Sequence, residues 1–326
     1  MLHKRRGKAW VWAVMAVIIF TQIIVPGAQA SRIEKQEGMS VQGDFDLGPT
    51  QYDFEVSPGE TVKVSPPLQL TNRKGAEQDY ELTVEDFEGS TDNPETTVAL
   101  QGEEAGQFGA KNWFTLELTK ATLQHADRLF FDVTINIPWD AEPGDHYATV
   151  LVKGLPIAGS VEENANVRLS SRVGALFFIT VKGDVKKEGT LKSFSTNHPW
   201  FKKGPVDFQY VFENTGTVRL RPSGNITVRN MIGRKKADLP IKEYNVLRNS
   251  VRGMGSKWDK TWLLGRYSAT IELKKGFGDE TEKKTIYFWV LPWQQLLVLL
   301  GILIGFIIIL SIAKKFVRLE VGARKK

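Results

Sequence analysis

Apolar and polar residues alternate with a period of two through most of this 326-residue chain, and that pattern commits it to sheet. Residues 52–56, 62–64, 68–70 and 80–84 alternate, as do 113–118, 129–137, 147–152 and 167–181. Each run has one face for water and one for a core, as antiparallel strands do. No convincing amphipathic helix interrupts them. Turn formers lie between: Ser57-Pro58-Gly59, Asn72-Arg73-Lys74-Gly75, and Glu142-Pro143-Gly144-Asp145. Short strands at this spacing predict a β-sandwich over 31–183. The stretch 85–112, rich in Gly, Glu, Thr and Asp, breaks the rhythm and reads as a long surface loop.

Residues 184–188 are polar and read as a linker. A second strand set follows over 189–291: 191–194, 206–212, 224–229, 242–247, 258–264, 267–273 and 285–291. The size fits an immunoglobulin-like sandwich. The halves share local features. Leu70-Thr71-Asn72 matches Phe212-Glu213-Asn214 before a turn, and Gly144 before Tyr147 matches Gly265 before Tyr267. The expected fold is all-β: two tandem immunoglobulin-like β-sandwiches plus a single C-terminal transmembrane α-helix.

That helix is expected over 293–313. The apolar run 296–313 is uncharged and is followed by Lys314, Lys315 and Arg318. Eighteen residues at helical rise cover about 27 Å, near the ~30 Å hydrocarbon thickness. Residues 314–326 then form a basic cytoplasmic tail. At the other end, Lys4, Arg5, Arg6 and Lys8 precede an apolar stretch and Ala28-Gln29-Ala30, so 1–30 reads as a signal peptide. The expectation is a single-pass cell-membrane protein with its bulk outside and its C-terminus in the cytoplasm. The net charge of +6 misleads: the leader holds four positive charges and the tail a net five, leaving −3 on the exported part. A nucleic-acid partner is therefore not expected, since that needs basic charge on the folded domain. The chain has no cysteine, so its cores must hold it without disulfides.

Catalytic chemistry is missing. Only His125, His146 and His198 lie past the leader, and none has zinc-ligand spacing. There is no nucleophile elbow and no phosphate loop. Asp44, Asp46 and Asp53 lack the glycine-bearing loop of a calcium site and read as solvated strand residues. No enzyme, cofactor or metal site is expected. What remains is surface recognition. Trp200, Phe201, Lys202 and Lys203 form a proline-bounded aromatic–basic segment that could stack on sugar or anchor a partner. Trp139, after Pro138, reads as core, and Arg234-Lys235-Lys236 as a solvated hairpin tip.

The order of parts resembles the bacterial WxL-interacting cell-surface proteins. The carrying residues are Val56-Ser57-Pro58-Gly59-Glu60-Thr61, Leu68-Gln69-Leu70-Thr71-Asn72, Ile137-Pro138, and Pro143-Gly144 before Tyr147. In the second half they are Asn214-Thr215-Gly216, Pro222-Ser223-Gly224, Gly265-Arg266-Tyr267 and Phe288-Trp289-Val290. The resemblance implies a first domain that binds peptidoglycan and a second that binds another cell-surface protein. The expected function is thus a membrane-anchored surface binding protein. The alternative is an extracytoplasmic chaperone-like assembly factor that uses an exposed strand edge. The alternating run 129–137 is a candidate for such an edge.

Overall fold

The computed structural model describes residues 31–102, 104–155 and 171–323. The leader reading of 1–30 lies outside the described residues, as do the last tail residues, 324–326. In chain order the strands of the first half are β1 (Arg32–Lys35), β2 (Phe45–Gly48), β3 (Gln51–Val56), β4 (Thr61–Lys63), β5 (Leu68–Asn72), β6 (Gln78–Glu88), β7 (Ala99–Leu100), β8 (Phe114–Leu116), β9 (Lys120–Leu123), β10 (Asp127–Phe131), β11 (Val133–Asn136), β12 (Gly144–Gly154) and β13 (Arg172–Val181). The second half holds β14 (Gly189–Thr196), β15 (Trp200–Phe201), β16 (Val206–Asn214), β17 (Ser223–Asn230), β18 (Lys235–Ile241), β19 (Ser250–Trp258), β20 (Gly265–Lys274) and β21 (Thr281–Val290). A helix, α1 (Trp293–Ala323), follows.

The first half is a sandwich. One layer joins β1-β10-β5-β2 to β4-β11-β8; the other is β3-β13-β12-β6-β7, with β9 also on β6. Leu68, Leu70, Phe131, Tyr80, Val150 and Phe177 fill the space between, each nearly or fully buried. β10 and β11 are one strand interrupted at Asp132, paired on one side by β5 and β4 and on the other by β1 and β8. The run 129–137 is therefore interior to its layer, with the short β1 holding one flank.

The second half repeats the plan with β14-β16-β19 facing β15-β21-β20-β17-β18. β16 shows how the pattern dictates the layer. Val206, Phe208, Tyr210 and Phe212 all point into the core at 2 % exposure or less, with Asp207, Gln209 and Val211 between them. Each such buried side chain is worth roughly 1.5–3 kcal/mol.

The two asparagines flagged by the sequence do the same work in both halves. The Asn72 side-chain amide donates to Ala76 O and Leu123 O at 2.9 Å, and its oxygen accepts from Lys74 N at 2.9 Å. Asn214 donates to Val218 O and Leu247 O at 2.9 Å and to Val246 O at 3.0 Å, and accepts from Gly216 N at 2.9 Å. The i+4 and i+2 partners are shared, so each asparagine closes its turn and ties it to a segment distant in sequence. Gly144 and Gly265 open β12 and β20 with φ of 122° and 103°, a conformation side chains resist.

Several expectations fail in detail. The hairpin tip lies at Met231, Ile232 and Gly233, while Lys235 and Lys236 begin β18. Residues 242–247 make no strand, only an isolated bridge from Val246 to Leu220. The strand sought at 258–264 is β19, which ends at Trp258. Trp139 is 86 % exposed rather than in the core, and its ring lies over Gly59, about 3.0 Å from where a Cβ would stand.

The membrane expectation does not hold. Among the described residues no helix is long and apolar enough to cross a membrane. With the span at 293–313 falls the placement of the chain as a single-pass cell-membrane protein with a cytoplasmic tail, and the membrane as a partner.

Candidate functional site

The site is built where the two sandwiches meet. β12 explains why they meet there: both of its faces are buried, against the one-sided alternation expected of it. Ala148, Val150 and Val152 enter the first core. On the opposite face Tyr147 packs with Phe87, Phe178 and Leu247, the last from the second sandwich, in a small core of its own. The rings of Phe87 and Tyr147 stack at 5.3 Å.

A polar network borders this joint. The Tyr147 hydroxyl accepts from Arg248 N at 3.0 Å and donates to the Asp145 carboxylate at 3.4 Å. Burial pushes the Tyr147 phenol well above its ordinary pKa of 10.0, with Asp145 adding to the shift, so it stays protonated. Asp145 also accepts from Thr180 Oγ1 at 2.6 Å and Arg219 N at 2.7 Å. The Arg248 guanidinium donates to Asp145 O at 3.2 Å and Glu142 at 3.1 Å, and lies 3.7 Å from the centre of the Phe108 ring. Arg219 pairs with Asp53 on β3. Burial raises the Asp53 pKa, but hydrogen bonds from Arg219 and Gln51 and the charges of Arg219 and Arg221 outweigh it and hold the carboxyl below 3.8. Charged side chains thus cross the joint and fix how the second sandwich sits on the first, though Arg219 Nη1 and Arg248 Nε are buried without a hydrogen-bond partner.

The segment 85–112 is part of this joint. β6 continues to Glu88, so Asp86 sits at a strand end, 2 % exposed. Its carboxylate accepts from Gly106 N at 3.1 Å, Ala110 N at 2.8 Å and Lys111 N at 2.7 Å. The loop wraps one buried anion and delivers Phe108 to Arg248. Its earlier part reaches further. Ser90 O accepts from Val251 N at 2.8 Å and Pro94 O from Gly253 N at 2.7 Å. The first sandwich therefore lays a looped segment over the edge of β19, its Ser90 and Pro94 carbonyls taking two of the outward amides. The approach is close: a Cβ at Gly89 would stand 2.6 Å from Ser250 Cβ.

This docking covers only half the edge. β19 pairs with β16 on its other side, and Val251 and Gly253 point away from β16. By alternation Gly255 and Lys257 point the same way, and both are exposed. β18 approaches across the corner of the sandwich without a ladder to β19. Other edges are guarded. On β14, Leu191 N donates to the Glu282 side chain at 2.9 Å, and Lys284 donates to Lys192 O at 3.4 Å. β18 carries Lys235, Lys236 and Pro240, which discourage pairing.

The residues singled out by the sequence lie elsewhere, at the far end of the second sandwich. Trp200 is 58 % exposed and stacks on Trp289 at 5.5 Å and 11°. Lys202 reaches the Trp293 ring at 5.8 Å. Lys203 is exposed. Phe201 turns inward instead, edge-on to Phe288 at 5.9 Å against the second core. Among the described residues no group of three His, Cys, Asp or Glu could hold a metal. The β19 edge was missed because nothing in a sequence marks which strand ends a sheet. The pair Gly253 and Gly255 within an alternating run was the available signal.

No family model matches this chain, and no curated protein matches it. Among solved structures it is similar to a chain of the chaperone–tip adhesin complex of CFA/I fimbriae biogenesis, at 10 % identity and TM-score 0.38, over 74 % of this chain and 98 % of that one. It is similar to the Pseudomonas aeruginosa CupB2 chaperone at 12 % identity and TM-score 0.35, over 75 % and 100 %. It is similar to the E. coli chaperone DraB at 14 % identity and TM-score 0.35, over 74 % and 98 %. At such scores the likenesses carry no argument about what the β19 edge does.

Proposed function

We propose that this chain is a non-catalytic, extracytoplasmic chaperone-like assembly factor that holds an extended segment of a partner protein along a sheet edge. The observation that carries this reading is the half-covered edge of β19. Its first half already accepts a foreign segment, through Ser90 O and Pro94 O. Its second half, at Gly255 and Lys257, offers the same backbone groups to a partner. The rigid joint keeps the edge in place, so binding does not have to order it.

A display library of seven-residue extended peptides, selected on the whole chain, tests this. Selected peptides should lose binding at least tenfold to a Gly255→Pro, Lys257→Pro chain. Proline is tolerated at an edge where the amide faces away from the sheet, so the ladder to β16 should survive. Selected peptides that bind the double variant as tightly as the native chain would reject the assignment of the edge.

A second reading is a surface protein that binds cell-wall glycan or another surface protein, as the resemblance to the WxL-interacting proteins implies. The exposed Trp200–Trp289 stack favours it, since aromatic faces are common binding anchors. Under this reading purified peptidoglycan should pull down the native chain and not a Trp200→Ala chain; equal recovery of both would rule out the stack as the anchor.

A further inference from the structure

The N-terminal strand β1 differs from every other strand of its layer. All four of its residues are exposed, Ile33 at 56 %, and none belongs to a core. Yet it occupies a full strand position beside β10, with Arg32 opposite Phe130, Ile33 opposite Leu129, Glu34 opposite Arg128 and Lys35 opposite Asp127. Gln36 N donates to Ala126 O at 2.8 Å, so by alternation Arg32 and Glu34 turn their backbone groups toward β10.

The side chains across this pairing are matched in kind. The Arg32 guanidinium lies 4.6 Å from the centre of the Phe130 ring. Glu34 lies opposite Arg128 in register while its carboxylate pairs with Arg32 at 3.1 Å and Arg128 Nε donates to Thr71 Oγ1 at 3.1 Å, and Lys35 pairs with Asp127 at 3.7 Å. Ile33 meets Leu129 at the rim of the core. All of these contacts are at the surface, where a pair contributes only about 0.2–1 kcal/mol. The slot is also closed at its far end. β8 takes over the same flank at Val133, and Glu117 there accepts from both Ser31 N at 2.7 Å and Asp132 N at 3.1 Å. On the near side the chain leaves through Gly38 and Gly43, at φ of 73° and 70°, where an added Cβ would meet nothing within 4 Å.

We infer that β1 is the built-in occupant of a second strand-binding slot, along β10, and that this slot takes an extended segment of a partner protein whose side chains run basic, apolar, acidic, basic. β1 holds a sequence of that kind in place with surface contacts alone, so a partner segment of the same pattern competes for it. Release of β1 leaves the backbone of Arg128 and Phe130 without its pairing and uncovers Leu129. The inference stands apart from the β19 edge, which lies in the other sandwich.

The test uses the full chain and a fluorescent peptide with the sequence of residues 31–37. Glu34→Pro in the chain removes a backbone donor aimed at β10 and the acid opposite Arg128. That chain should bind the peptide at least tenfold more tightly than the native chain. A peptide with the acid reversed to lysine should lose that binding and regain it when Arg128→Glu is added to the chain. Hydrogen exchange at Arg128 and Phe130 should quicken in the Glu34→Pro chain and slow again with peptide. Gly255→Pro should leave all of this unchanged, which separates failure here from failure at β19. Equal peptide affinity for native and Glu34→Pro chains, or exchange at Arg128 and Phe130 unmoved by the substitution, would overturn the inference.

Discussion

Replacing Asp86 by alanine should undo the segment that joins the two sandwiches. Its carboxylate holds Gly106, Ala110 and Lys111 through three backbone amides at 2.7–3.1 Å. A hydrogen bond to a charged group contributes roughly 1.5–3 kcal/mol. Water can replace part of this at Gly106 and Lys111, which are half-buried, but not at Ala110, which is 1 % exposed. A net loss of about 3 kcal/mol follows, allowing full weight to Ala110 and less to the other two. For a domain of this size that is roughly 6–12 °C in Tm. Asparagine should rescue part of the loss, because its Oδ1 can keep the Ala110 and Lys111 amides while its NH2 group would face only the Gly106 donor. Calorimetry gives the shift. Exchange of the amides of 106–111 shows where it arises, and they should lose protection before the strands of either core. A Tm within about 1 °C of native for Asp86→Ala would refute the claim that one buried anion organises this segment.

Gly89→Val should weaken the joint by about 1–3 kcal/mol, since its Cβ falls 2.6 Å from Ser250 Cβ, and Ser250→Gly should restore most of the loss in a urea melt. Asn214→Ala should cost about 2–4 kcal/mol, because three backbone carbonyls lose their donor, whereas a surface asparagine such as Asn197 should cost almost nothing; chemical denaturation compares them. His146 gives the pH dependence. Burial holds its pKa below 6.5, and the bond between its Nε2 and Glu142 O only partly opposes this. Its folded pKa lies below the unfolded one, so as pH falls the unfolded chain takes up the proton first. Stability from the neutral ring is complete above pH 6.5 and declines as pH drops from there toward the folded pKa. Protonation there sets a second cation beside Arg248, eased by Glu142 and Asp145. A His146→Phe chain should show a flatter Tm profile over this range; an unchanged slope would contradict it.

The layers were legible because their signal is local. β6, β16 and β20 alternate as a half-buried strand must, and the Asn72 and Asn214 turns announced themselves through shared neighbours. What stayed hidden depends on contacts between distant residues. Lys235 and Lys236 read as a tip because charge suggests solvent, yet an edge strand such as β18 offers solvent along both its outer face and its free side. Nothing in the sequence singles out Arg248, yet the joint buries it by supplying Tyr147, Asp145, Glu142 and Phe108 from the other sandwich. Asp86 is one carboxylate among many in an acidic stretch, and only the returning chain reveals three amides around it. Phe201 and Trp139 show the same limit in opposite senses: an aromatic expected at the surface turns inward, and one expected inside lies over Gly59. Among the described residues no helix is long and apolar enough to cross a membrane, an outcome composition alone did not foresee.

The account turns on whether the outer half of β19 is open in the free chain. Residue-resolved hydrogen exchange by NMR measures this directly, because Val251, Gly253, Gly255 and Lys257 lie on one strand and point the same way. The Val251 and Gly253 amides should be protected by Ser90 and Pro94, with Gly255 and Lys257 exchanging at least a hundredfold faster. Equal protection along all four would mean that the edge is already filled, leaving no place there for a partner's strand.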